Sequence, residues 1–277
     1  MQPRLEIVPP APRTGLSGRV ALVTGGGRGI GRLVARDYAR AGASVALIAR
    51  SADELAETVR LIEADGGVAR AAVADVRDHA AFAAAVRDLR SALGPVDVLV
   101  NNAGIVGPIG PSWEVDLAAW WQTMEVNVLG TVIGAHLVLP EMVRRGRGRI
   151  INLASQAGAF RWPLVSAYSV SKASIVKFTE NLARESQRHG VTVFSVHPGL
   201  LPIGMTTTAT VADDAYGRRI AAWVEAELRA GRGADPDDAV ALLRRVAVGE
   251  LDALSGQHLS VHDDLEGRVR HATEAAS

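Results

Sequence analysis

The sequence predicts an α/β fold: one doubly wound parallel sheet of about seven strands with helices on both faces, in a single domain. Three observations predict it. Short β-branched runs alternate with alanine-rich stretches of helical spacing from Arg19 onward. The runs are nearly continuous in apolar character, as strands covered on both faces are. The first run ends in a glycine cluster that opens directly into an amphipathic stretch, and no repeat or low-complexity linker divides the chain.

The 277 residues carry 30 Lys+Arg against 30 Asp+Glu, and this zero formal charge excludes a strongly basic nucleic-acid binder. Hydrophobic residues are 48% and charged residues 22% of the chain, close to globular averages, so a core can be buried. With no cysteine, a disulfide framework, a thiolate zinc site and a cysteine nucleophile are excluded, which agrees with a reducing cytoplasm. Residues 1–17 are proline-rich and read as a flexible N-terminal arm, or as one that crosses onto a partner subunit. The arm contains no apolar run of signal-peptide length, and nothing later approaches ~18 unbroken apolar residues. The expectation is a cytoplasmic protein with neither a membrane nor a nucleic-acid partner.

In chain order the predicted strands are Val20 to Thr24, Ser44 to Ala49, Val68 to Val73, Val96 to Val100, Arg149 to Ala154 and Val191 to Val196, with a seventh near Gln257 to Val261. Between the second and third, Ser51 and Glu54 have capping-box spacing and Asp65-Gly66-Gly67 is a stop signal. Right-handed crossovers then make the sheet doubly wound. The domain is expected over 18–265, with a substrate lid at about 200–232 and a C-terminal tail over 266–277.

The first strand ends in Thr24-Gly25-Gly26-Gly27-Arg28-Gly29-Ile30-Gly31, after which Leu33, Val34, Tyr38 and Ala41 recur at helical spacing. Glycine serves where a backbone turns with positive φ and where a pyrophosphate approaches main-chain N–H groups at a helix N-terminus. Gly25, Gly29 and Gly31 have the spacing G-x3-G-x-G. The G-x-G-x-x-G form fails, because Ile30 stands where its third glycine would be. The end of the second strand selects the cofactor in a dinucleotide fold, since an acid there bonds the ribose hydroxyl and an arginine accommodates a phosphate. That end reads Ala49-Arg50, and Arg28 adds a second guanidinium suited to a 2′-phosphate. NADP(H) is therefore expected over NAD(H), although either arginine also reads as a solvated surface cation.

Lysine occurs only at Lys172 and Lys177. Lys172 follows Tyr168, one of three tyrosines, by one helical turn, so both lie on one helix face. A cation beside a phenol lowers the cost of its ionisation and tunes it for proton transfer. Ser155 closes the strand before this helix, and its hydroxyl can face the phenol, so that two donors converge on one oxygen. Asn101-Asn102-Ala103-Gly104 follows the fourth strand as a small-residue turn beside the cofactor crevice. Asn127 is a buried-amide candidate that reads equally as a helix-interior amide satisfied by backbone.

These residues, in this order, resemble the classical short-chain dehydrogenase/reductase (SDR) family from about Ser17 to Val261, which implies a Rossmann-type fold. The resemblance maps the catalytic tetrad onto Asn127, Ser155, Tyr168 and Lys172. It implies that Gly25, Gly27, Arg28, Gly29, Ile30 and Gly31 bind the cofactor, together with Arg50, Asp75 and Val76 near the adenine and the turn Asn102, Ala103 and Gly104. Tyr168, Lys172, Pro198, Gly199 and Thr206 complete that set, Met205-Thr206 resembling the segment that meets the nicotinamide carboxamide. By the same resemblance Tyr168 is general acid in carbonyl reduction and general base in the reverse direction, and Ser155 polarises the substrate oxygen. Lys172 holds the nicotinamide ribose and lowers the Tyr168 pKa, and Asn127 fixes a water that links Lys172 to solvent. Family likeness also implies a homotetramer or homodimer, with Thr131 to Arg145 and Ala167 to Arg188 as candidate interface helices.

Gln156, Phe160, Trp162, Leu164, Leu200 and Trp223 are expected to shape the substrate pocket, and their apolar character suggests a bulky, poorly charged small-molecule ketone or secondary alcohol. Core packing or a subunit contact explains Trp223 as well, and Trp113, Trp120 and Trp121 read as packing or interface aromatics. No metal site is expected: His258, His262, Asp263 and Asp264 would be split between the faces of a terminal strand. His197 reads as a structural histidine. The expected activity is NADP(H)-dependent hydride transfer in the ketone-reducing direction. The alternatives are a redox-neutral enzyme on the same fold, performing dehydration or cyclisation, and a cofactor-responsive binding protein.

Overall fold

The structure, a computed structural model, describes residues 15–204, 206 and 214–274. The alternation of apolar and alanine-rich runs folds as β1 (Val20–Thr24), α1 (Gly29–Arg40), β2 (Ser44–Ala49), α2 (Ala52–Ala64), β3 (Val68–Val73), α3 (His79–Leu93) and β4 (Val98–Asn101). The second half runs α4 (Leu117–Met124), a π-helical turn (Glu125–Leu129), α5 (Gly130–Arg145), β5 (Gly148–Leu153), α6 (Ser166–Ser186) and β6 (Val191–His197). After β6 come α7 (Ala215–Arg229), α8 (Pro236–Val248), β7 (His258–Ser260) and α9 (Leu265–Glu274). The strands form one parallel sheet in the order β3-β2-β1-β4-β5-β6-β7. The order reverses between β1 and β4, where Leu22 pairs with Ala46 on one side and Leu99 on the other. The chain diverges to opposite faces there, and the crevice beyond the carboxyl ends of β1 and β4 is the place such sheets offer a ligand.

Core packing on the two faces explains the near-continuous apolar strands. On one side Val23, Val45, Val100 and Ile151 meet Val34 and Tyr38 of α1 and Leu243 and Val246 of α8. The buried Tyr38 hydroxyl is satisfied by donating to Leu243 O at 2.7 Å. On the other side Leu22, Leu99 and Ile150 meet Phe82 and Val86 of α3 and Ile133, Val138 and Met142 of α5. The run Leu117–Arg145 is long and apolar enough to pass for a membrane span, with mean hydropathy 1.5, but half of that apolar window is buried inside the fold. Its hydrophobicity is that of a core element.

Several boundaries differ from the sequence reading. β4 begins at Val98, because Asp97 works as an anchor: its carboxylate accepts Val20 N at 3.0 Å, and its carbonyl accepts Arg149 N at 2.9 Å. β5 starts one residue early, β6 extends to His197, and β7 is limited to His258–Ser260. The expected arm over 1–17 reaches too far. Leu16 is fully buried in the first core and its N–H bonds Ala41 O at 3.0 Å, so the domain begins by Leu16; residues 1–14 lie outside the described set. The expected tail over 266–277 is largely the helix α9, with Leu265 in the core and Arg268 tied to Asp263.

Candidate active site

Glycine is required in the turn between β1 and α1 for reasons visible in the backbone. Gly25 has φ 65° and Gly29 φ 55°, the left-handed region that L side chains rarely adopt. A Cβ on Gly31 would stand 2.5 Å from the Asn102 amide nitrogen, and one on Gly27 would stand 2.9 Å from Glu54 Cβ. Arg28, at the N-cap of α1, makes no side-chain cap, so the first N–H groups of that helix face the crevice with no partner from a capping side chain. This narrow cradle of backbone donors fits the pyrophosphate of a dinucleotide. The turn is braced from β4: Asn102 Nδ2 donates to Thr24 O at 2.9 Å and Gly25 O at 3.1 Å, and the N–H groups of Asn102 and Ala103 both bond Thr24 Oγ1. The Asn102 Nδ2 is thus spent on the turn itself. Gly104 follows it, half-buried.

The adenosine end is more self-paired than the sequence suggested. Asp75 holds Arg77 in a fork, Oδ2 to Nη2 at 2.8 Å, and that guanidinium lowers the Asp75 pKa with a smaller contribution from Arg50. Val76 packs its side chain into the core against Gly130. Arg50 is exposed, and Arg28 stands 3.6 Å from the Glu54 carboxylate. The capping box at α2 is therefore half made: Ser51 Oγ accepts Glu54 N at 3.3 Å, while the glutamate faces Arg28.

The four tetrad positions come from three elements. Ser155, buried just past β5, accepts Ala157 N at 3.1 Å, which fixes its rotamer, and its hydroxyl meets the phenol of Tyr168. Tyr168 and Lys172 lie one turn apart on α6, the ammonium 5.6 Å from the tyrosine ring centroid. Lys172 Nζ donates to Leu153 O at 2.7 Å; it is 4% exposed, and burial lowers its pKa to about 8. Burial raises the Tyr168 pKa, and the opposing pull comes from the Ser155 hydrogen bond. The Lys172 ammonium turns to the Leu153 carbonyl and lies over the tyrosine ring.

Asn127 is fully buried in the π-helical turn. Its Oδ1 accepts Ile105 N at 2.8 Å, and its Nδ2 donates to Ile105 O and to Ser171 Oγ, each at 2.9 Å. The amide is therefore fully used, and water capture by Asn127 would fall to its backbone carbonyl, which Thr131 Oγ1 also reaches at 2.7 Å. Ser171, not singled out from the sequence, donates to Tyr168 O at 2.7 Å and so ties the π-turn to the backbone of Tyr168. Its signal was a small hydroxyl three residues after the tyrosine, on the buried side of the helix.

Over this centre α7 packs on two loops. Val165, Ile220 and Val224 form an apolar cluster joined by Val106, Ile109, Trp162, Leu164, Tyr168, Leu200 and Leu228. Trp162 stands edge-on to Tyr168 with centroids 6.1 Å apart, and Trp223 lies 5.1 Å from Trp162. Of the expected pocket residues, Trp162, Leu164, Leu200 and Trp223 come together. Gln156 and Phe160 do not: both are exposed, Phe160 at 68%, because the turn after Ser155 carries them outward. Leu164 has φ 72°, a strained conformation for leucine, and its carbonyl accepts Gly110 N at 2.8 Å across the cleft. Pro198 and Gly199 are half-buried at the end of β6, as is Thr206, while Met205 lies outside the described residues.

Around β7, Ser195 Oγ and His258 Nδ1 are 3.1 Å apart and Asp263 pairs with Arg268. Among the described residues no group of three or more His, Cys, Asp or Glu side chains is placed to hold a metal. Burial, with His258 and His262 nearby, lowers the His197 pKa to about 4. The folded pKa lies below the unfolded one, so this contribution to stability is present above pH 6.5 and lost as pH falls toward 4. Thermal melts should show a loss on the order of 2 kcal/mol over that window, and His197→Gln should flatten it. An unchanged slope would refute the assignment.

The crevice at the strand-order reversal, the glycine cradle and the Ser-Tyr-Lys centre are those of a nicotinamide-dependent oxidoreductase class. The short chain dehydrogenase family profile matches residues 19–214, and the chain belongs to that family. It is 43% identical over 186 residues to a short chain dehydrogenase of Pseudocercospora fijiensis, covering 66% of this chain and 60% of the relative. It is 42% identical over 182 residues to the 2-dehydro-3-deoxy-L-rhamnonate dehydrogenase (NAD(+)) of a Sphingomonas species, covering 66% and 72%. A solved gluconate 5-dehydrogenase from Burkholderia cenocepacia, in complex with NADP and tartrate, superposes with a TM-score of 0.80 at 31% identity, covering 92% of this chain and 98% of that one.

Proposed function

We propose that this chain is an NADP(H)-dependent oxidoreductase that transfers hydride between the nicotinamide and a ketone or secondary alcohol. We assign it the ketone-reducing direction and a bulky, largely apolar substrate. The observation that carries the reading is the Ser155–Tyr168 pair of hydroxyls beside buried Lys172, opening onto the apolar wall of Trp162, Leu164, Leu200 and Val224. Arg28 at the glycine turn and the NADP complex of the Burkholderia relative support NADP(H), while the Sphingomonas relative is named for NAD(+). The chemistry a bound cofactor supplies is the hydride.

The chain's own residues do the rest. The cradle of Gly25 to Gly31 binds the pyrophosphate, and Lys172 reaches the ribose side. Tyr168 Oη and Ser155 Oγ both hydrogen-bond the substrate oxygen, Tyr168 giving its proton to the forming alkoxide. Trp162 and Leu164 orient the carbon skeleton and exclude water. The proton lost by Tyr168 is restored through Lys172 and water at the Asn127 carbonyl. We also assign a cytoplasmic location and a homotetramer or homodimer, supported by exposed Leu117 and Trp121 on α4 and Val170 on α6.

The test is titration of the purified protein with NADPH and NADH, followed by cofactor consumption across ketones of increasing bulk. Saturable NADPH binding with turnover rising toward apolar ketones is expected. Binding without turnover on any carbonyl would move the assignment to redox-neutral chemistry or sensing.

A further inference from the structure

We infer that Glu54 sets the cofactor preference, by competing with the 2′-phosphate of NADP(H) for Arg28. The inference rests on the dinucleotide reading above and adds to it an acidic determinant on α2.

Glu54 is held against the glycine turn by its backbone at both ends. Its N–H is capped by Ser51 Oγ at 3.3 Å, and its carbonyl accepts Thr58 Oγ1 at 3.0 Å and Arg32 Nη2 at 3.4 Å. The same two side chains reach the turn itself: Thr58 Oγ1 also lies 3.1 Å from Gly27 O, its one hydroxyl proton serving either carbonyl, and Arg32 Nε donates to Gly27 O at 2.9 Å. Gly27 and Glu54 are thereby locked face to face, so close that a Cβ on Gly27 would meet Glu54 Cβ at 2.9 Å. From that fixed point the carboxylate faces Arg28 at 3.6 Å, with the arginine side chain 60% and the glutamate side chain 37% exposed.

Arg28 and Arg50 are the cations placed for a 2′-phosphate, and Arg28 already has an acid beside it in Glu54, whereas the acid nearest Arg50 in effect, Asp75, is held by Arg77. A dianionic phosphate that recruits Arg28 must part it from Glu54 and then sit beside a carboxylate whose backbone is fixed against the turn. A cofactor with a free ribose diol meets no such opposition, and the carboxylate can accept from its hydroxyls. Glu54 therefore narrows the preference that Arg28 creates and leaves the site open to both cofactors.

The experiment is calorimetric titration of wild type, Glu54→Gln, Arg28→Gln and the double variant with NADPH and NADH, together with 2′,5′-ADP and 5′-AMP as probes without a nicotinamide. Glutamine keeps the side-chain shape and every backbone contact. Glu54→Gln should tighten NADPH and 2′,5′-ADP about fivefold and leave or weaken NADH and 5′-AMP. The gain should fall below about twofold in the Arg28→Gln background, and it should shrink as salt is raised. Equal changes for phosphorylated and unphosphorylated ligands, or none, would overturn the inference alone. If wild type bound neither dinucleotide, the oxidoreductase reading would fall and this inference with it.

Discussion

Tyr168→Phe should reduce turnover about a thousandfold or more while leaving NADPH affinity within about twofold, since one phenolic proton is both the acid and half of the donor pair on the substrate oxygen. Phenylalanine keeps the ring against Trp162 and under the Lys172 ammonium, so the apolar wall and the fold persist. What is lost is the hydroxyl that meets Ser155. A thousandfold loss is about 4 kcal/mol of transition-state stabilisation, more than one ordinary neutral hydrogen bond supplies. It should therefore appear mainly in kcat rather than in KM. Steady-state kinetics on the best ketone from the screen, alongside a cofactor titration and a thermal melt, would check it. Undiminished kcat would remove Tyr168 from the chemistry, and a collapsed melt would show that the hydroxyl serves the fold instead.

The sheet and the catalytic helix were legible because their causes are local. Unbroken apolar runs such as Ala21 to Val23 announce strands covered on both faces, and a tyrosine and a lysine four apart must share a helix face. What escaped depends on contacts far apart in the chain. By resemblance Asn102 binds the cofactor and Asn127 fixes a water, and Asn127 reads equally as an amide satisfied by backbone; the Asn102 Nδ2 braces Thr24 and Gly25, and the Asn127 amide binds the Ile105 backbone and the Ser171 hydroxyl. Nothing in a linear pattern tells a buried amide that binds a ligand from one that holds a turn. Phe160 was expected in the pocket together with Trp162 and Leu164, but after the short turn past β5 it is exposed. Leu164 carries no sign of its left-handed backbone, because that strain is imposed by the loop it closes with Gly110. The Glu54–Arg28 pair was hidden behind a capping-box pattern, since spacing shows that a glutamate can reach back to Ser51 and not that a cation across the turn will attract it.

Lys172→Met should abolish turnover and, in the absence of cofactor, make the protein more stable at pH 7. The wild-type ammonium is buried and donates to Leu153 O, and burial disfavours its charged form. The folded pKa of about 8 lies below the unfolded value of 10.5. The folded state therefore binds fewer protons between those values, and stability rises with pH across that window. Below pH 8 the whole penalty is present, on the order of 3 kcal/mol. Methionine removes it while keeping an unbranched chain in the same space, and it leaves Leu153 O without its donor at a cost of about 1 to 2 kcal/mol. The net gain at pH 7 should be about 1 kcal/mol, or roughly 2–4 °C in Tm. The gain should shrink from pH 8 upward and turn to a loss near pH 10.5, where wild-type Lys172 is neutral at no cost and still bonds Leu153. Melts of the two proteins at pH 7, 9 and 10.5 would read this directly, and a constant gap between them would refute it. A gain at pH 7 coupled to complete loss of turnover would show that this fold keeps a costly buried cation for the chemistry next to it.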